Sequence, residues 1–79
     1  MKLKSVQELR ELIDGLTQDI EFSYNGIGDM AICPYSRTRI EGYGSDGGRD
    51  FISVDDVLDN LIIDGKPLRD IATEIEILN

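Results

Sequence analysis

The spacing of apolar residues changes period along this chain, and those changes bound what it can fold into. Val6, Leu9, Leu12, Ile13 and Leu16 recur at helical spacing, whereas Ile20, Phe22 and Tyr24 alternate with Glu21 and Ser23. The first pattern is one stripe of an amphipathic helix and the second a half-buried strand. Asn25-Gly26 follows, a pair that favours a tight reversal. Helical spacing returns at Val54, Val57, Leu58 and Leu61, and again at Leu68, Ile71, Ala72 and Ile75.

Both principal helices carry start signals. Ser5-Val6-Gln7-Glu8 reads as a capping box, and Ser53-Val54-Asp55-Asp56 as a shorter version of it. Ile52 and Val57 are placed to form a hydrophobic staple across the second start. Gly15 to Thr17 should stop the first helix. Pro67 suits the first turn of a last helix, where a missing amide proton matters little.

Pairing chemistry selects the hairpin register. A three-residue loop sets Phe22 opposite Met30 and Ile20 opposite Ile32, while a two-residue loop would set Asp29 opposite Phe22. The apolar pairing favours the longer loop, whose bulge would suit the glycines. Pro34-Tyr35-Ser36 should turn the chain, Thr38 to Tyr43 forms a third strand, and Ser45 to Gly48 makes a flexible connection. Ile62-Ile63-Asp64-Gly65 makes a tight turn. The expected fold is α+β: an N-terminal helix, a three-stranded antiparallel meander with at most a short fourth edge strand at Asp50 to Ile52, and two C-terminal helices on one sheet face. Residues 1–79 form a single domain, with Phe22, Ile32, Leu12, Leu58 and Ile71 in its core.

Composition then limits the chemistry. A chain of 79 residues supports one thin core, and an enclosed substrate cavity would remove packing that it needs. Histidine is absent and Cys33 is the single cysteine, so no internal disulfide forms and most zinc, copper and haem ligand sets are missing. The usual general base near neutral pH is missing as well. The expectation is a non-enzyme with no metal and no cofactor, a carboxylate-based enzyme ranking lowest among the alternatives. No apolar run approaches a membrane span, and Met1-Lys2-Leu3-Lys4 does not begin a signal peptide, so the cytoplasm is the expected location.

Short motifs add little. Fitting Ser45 to Asp56 to a calcium loop puts Arg49 where a carboxylate belongs and Asp50 where glycine belongs. Gly26-Ile27-Gly28 lacks the third glycine and following helix of a dinucleotide fingerprint. Gly65-Lys66 is followed by Pro67, unlike a phosphate loop. Cys33 lacks the neighbours that activate a thiolate and is read as a small core or strand-end residue.

A net charge of −8 disfavours direct binding to nucleic acid or anionic membrane, and its natural complement is a basic protein surface. The acidic excess is strongest from residue 52 onward, where seven acids face only Lys66 and Arg69. Asp55, Asp56, Asp59, Asp70 and Glu74 are therefore the first candidate partner-binding set, an array able to imitate a phosphate track. The alternative surface is Tyr35, Arg37, Arg39, Tyr43 and Arg49, since tyrosine and arginine are enriched at binding hot spots. That surface would suit a small adaptor or subunit.

The run Ile20 to Gly26, then Phe51 to Leu58, then Ile63-Asp64-Gly65-Lys66-Pro67-Leu68-Arg69-Asp70-Ile71 resembles a group of short uncharacterised proteins of Gram-positive bacteria and their phages. Its most specific part is Ile-Asp-Gly-Lys-x-Leu-x-Asp-Ile. The resemblance covers most of the chain after Ile20, apart from Met30 to Tyr35, and carries over no site residues. A mobile-element origin implies a small inhibitor of a basic host protein such as a CRISPR effector. The similarity to anti-CRISPR proteins is one of compact, acidic character and not of motif.

Overall fold

A computed structural model describes residues 1–16, 18–45 and 47–79. The fold is mixed α+β. Among these residues the order is α1 (Val6–Asp14), β1 (Ile20–Tyr24), β2 (Ile27–Ser36), β3 (Arg39–Gly44), β4 (Gly47–Phe51), α2 (Val54–Asn60), β5 (Ile62–Ile63), β6 (Lys66–Pro67), α3 (Leu68–Ile71) and β7 (Glu76–Ile77). One antiparallel sheet runs β4-β3-β2-β1-β7, and β5 pairs with β6 in a separate small hairpin.

The two serine caps form, with one common departure from the box. Ser5 Oγ accepts from the Glu8 amide at 3.2 Å, and Ser53 Oγ accepts from the Asp56 amide at 3.0 Å. In return, Glu8 takes the amide of Lys4, and Asp56 takes that of Ile52 at 3.0 Å. Each carboxylate thus reaches one residue beyond the capping serine. The Gly15 amide closes α1 on the Glu11 carbonyl at 3.0 Å. Leu16 follows at φ 55° with its side chain exposed. Thr17, expected to help stop this helix, lies outside the described residues, as does Asp46 in the expected flexible connection.

Strand parity separates the sheet's two faces. Ile20, Phe22, Met30, Ile32, Ile40, Phe51 and Ile77 share the inner face and are buried. They form one cluster with Leu9 and Ile13 of α1, Val57 and Leu58 of α2, and Leu68 and Ile71 of α3. Gly42 shares this inner face because the Phe51 ring and Leu61 occupy the space a side chain would need.

Several expectations need correcting. The register of the first hairpin is as argued, Phe22 opposite Met30 and Ile20 opposite Ile32, but the loop is shorter. Tyr24 pairs with Ile27 across Asn25-Gly26, both at positive φ, and a bulge with Asp29 at φ 59° takes up the extra residue. Pro34 does not turn the chain. It sits in β2 opposite Ile40, beyond the last β1 pair, and a register shift between Pro34 and Ser36 accommodates it. The reversal falls at Arg37-Thr38, and the third strand starts at Arg39. The fourth strand is a full member of the meander, and β7 adds a fifth.

The last helix is a single turn. Ile75 and Ile77 then alternate inward, a strand signal that the helical spacing of Leu68, Ile71 and Ala72 obscured. The Ile52–Val57 staple is absent, since β4 alternation turns Phe51 inward and leaves Ile52 73% exposed. Phe22, Ile32, Leu58 and Ile71 are core, but Leu12 is only half-buried against it. Asp64 and Gly65, both at positive φ, join β5 to β6.

Candidate partner-binding surfaces

The helical acids are largely engaged within the molecule. Asp55 accepts from Arg10 Nη2 at 2.6 Å and from Arg69 Nη2 at 3.1 Å, and Asp59 accepts from Arg69 Nε at 2.6 Å. Hydrogen bonds from Arg10 and then Arg69 hold the Asp55 carboxyl below its ordinary value. Asp56 is lowered too, first by the Ile52 amide and then by Asn60, whose Nδ2 donates to it at 2.7 Å. This network ties α1, α2 and α3 together. Asp70 and Glu74 stay exposed on the segment beyond it.

The arginines behave alike. Arg37 pairs with Asp14 at 3.6 Å, Arg39 lies 5.1 Å from the Tyr35 ring centre, and Arg49 lies 4.7 Å from that of Phe51. Together with Arg10 and Arg69, every arginine of the chain has an internal partner. Lys66 Nζ donates to the Tyr24 hydroxyl at 3.1 Å. The alternative surface is divided as a result. Tyr35, Arg39 and Tyr43 share the outer sheet face, whereas Arg37 points to the end of α1 and Arg49 has the parity of the inner face.

That outer face is acidic, which segment-by-segment reading missed. Register places Cys33 opposite Glu41 and Glu41 opposite Asp50, with Asp19 beside Cys33. The adjoining row is Glu21, Ala31, Tyr43 and Gly48. Strands lie about 4.8 Å apart, so Glu41 and Asp50 form a like-charge cross-strand pair, an arrangement that destabilises a sheet. Tyr35 is 58% exposed and its hydroxyl donates to Glu41 at 2.5 Å. Tyr43 is 39% exposed, and its ring lies over Gly48, in the space a Cβ there would need.

The electrostatics of this face follow from the acids. Burial, then Asp19, Glu41 and Glu21, push the Cys33 thiol up to about 11. The hydrogen bond to Glu41 pushes Tyr35 up to about 12, and the Glu41 charge raises Tyr43. A thiol held protonated is the opposite of an activated nucleophile. The signal that could have exposed this surface was the register itself: once Phe22–Met30 pairing is fixed, Glu21 and Cys33 must share the other face.

A groove of about 490 Å³ lies between the N-terminal segment and α1, lined by Leu3 and Leu12 together with Lys4, Glu8 and Glu11. Residues Gly47–Phe51, considered above as part of a calcium loop, are β4. No helix among the described residues is long and apolar enough to cross a membrane. Compared with protein-family models, with curated proteins and with solved structures, the chain matches none.

Proposed function

We propose that this chain is a small acidic, non-enzymatic protein-binding domain that acts in the cytoplasm on a basic, nucleic-acid-binding protein. The observation that carries this reading is the internal use of the arginines. With 16 acids and 8 basic residues, and each arginine already facing a carboxylate or a ring, the charge left toward solvent is negative. Such a field steers a basic partner and repels phosphate backbones and anionic membrane. The resemblance to short proteins of Gram-positive bacteria and phages gives the reading its specific form, an inhibitor of a host protein such as a CRISPR effector. The upward shift of the Cys33 thiol, from burial and the acids around it, favours a role without nucleophilic chemistry.

Affinity capture from a Gram-positive host lysate at low and at high salt tests the proposal. The expected outcome is a basic, nucleic-acid-binding protein that is retained at low salt and released as screening increases. Retention of acidic or neutral partners, insensitive to salt, overturns it.

A further inference from the structure

We propose that the outer sheet face is the docking surface, and that its occupant is an arginine-bearing segment of the protein partner seated on Glu41 between Tyr35 and Tyr43. This inference rests on the reading of a basic partner and adds the surface and the residue type. Charge complementarity commits the face to a cation. Asp19, Glu21, Glu41 and Asp50 surround it, and Arg39 is its one arginine. The opposed pair Glu41–Asp50 is a cost to the fold that an incoming cation removes.

The aromatic rings select arginine over lysine. Arg39 against Tyr35 shows that a ring on this face already accepts a guanidinium. A planar guanidinium stacks on an aromatic face while its N–H groups reach a carboxylate, and an ammonium does this less well. Asp55 and Asp59 offer no such arrangement, because both already have arginine partners. Arg39 is thus an internal competitor for the site. Removing it deepens the negative field and frees the Tyr35 ring.

The test uses a fluorescent oligo-arginine peptide and an oligo-lysine comparator, with binding followed by anisotropy at low salt. Three variants are compared, each checked for an intact fold by its thermal melt. The first neutralises Glu21, Glu41 and Asp50 to Gln, Gln and Asn. The second neutralises Asp55, Asp59, Asp70 and Glu74, removing more charge from the helical side. The third is Arg39→Gln. Neutralising the sheet face should weaken oligo-arginine binding by about tenfold or more, and the helical set should weaken it only slightly. Arg39→Gln should tighten binding, and the neutralised sheet should melt no lower than the parent. Oligo-lysine should bind more weakly than oligo-arginine.

A larger loss from the helical set overturns the surface assigned here and leaves the basic-partner reading standing. Weaker binding by Arg39→Gln also overturns the surface. Equal affinity for the two peptides overturns the role given to the tyrosines. Failure of the parent protein to bind either peptide overturns this inference and the reading beneath it.

Discussion

The two faces of the one sheet obey different rules. On the inner face, neighbouring residues are mutually supportive: Phe22 lies opposite Met30, Ile20 opposite Ile32 and Ile40 opposite Phe51, all buried. On the outer face, Glu41 lies opposite Asp50, with Glu21 and Asp19 close by. Folding alone accounts for the first arrangement. The second works against the sheet that carries it, and an element that opposes its own fold is where function is expected. The contrast also separates two uses of tyrosine. Tyr24 is buried beside Lys66, while Tyr35 and Tyr43 stand exposed over acids.

The contrast is broken or sharpened first at the inner face, where effects are largest. Phe22→Ala should cost about 3–5 kcal/mol, and Ile32→Ala or Leu58→Ala about 2–5 kcal/mol, as read from urea midpoints. Leu12→Ala should cost less, since Leu12 only borders the core. Parent-like midpoints for the three buried sites would contradict the assignment of the faces.

Paired glycine substitutions come next. A Cβ at Gly42 lies 2.8 Å from the Phe51 ring, and one at Gly48 lies 2.4 Å from the Tyr43 ring. Phe51 is held by the core, so Gly42→Ala should cost about 1–3 kcal/mol by overpacking. The Tyr43 ring can swing into solvent, so Gly48→Ala should alter stability little and instead change the Tyr43 fluorescence. Equal losses at both positions would show that Tyr43 is held as firmly as Phe51.

Smaller again is the cap of α2. Ser53→Ala should cost about 1 kcal/mol. Its partner carboxylate adds a pH dependence. Asp56 and Asp55 have folded-state values below the ordinary 3.8. Their contribution is therefore complete above that value and is lost as pH falls through the lowered ones. Melts across that acidic range should show it, and Asp56→Asn should flatten the slope. An unchanged slope would mean that the carboxylate contributes no more folded than unfolded.

The smallest effect on stability lies at Cys33. Its folded value is raised, so its contribution is present below the ordinary 9.0 and fades as pH rises toward about 11. Thiol alkylation should track that displaced titration and be slow at neutral pH. Neutralising Glu21 and Glu41 should move the midpoint down. Rapid alkylation near neutrality would show that the acids do not dominate this face.

The legible parts of the fold were those fixed by local chemistry. Ser5 and Ser53 announced their helices, and the alternation of Ile20, Phe22 and Tyr24 announced a strand and its register. What escaped depended on distant partners. Pro34 reads as a turn in isolation, but it fits in β2 because β1 has already ended. The segment from Leu68 to Ile75 reads as a helix until β1 claims Ile77. The candidate surface was hidden for the same reason. Arg39 and Tyr43 read as part of a tyrosine–arginine surface until the register set them among acids, and the charge on Asp55 looked free until Arg10 and Arg69 met it.

The pairing of β1 with β7 has a consequence for how the chain is made. Phe22 meets Ile77 only after the meander, α2 and the small hairpin have been laid down. Until then one flank of β1 is a row of open amides and carbonyls, a template onto which another nascent molecule can add. Refolding at rising protein concentration should therefore divert molecules into strand-exchanged dimers, with β7 of one copy closing β1 of another.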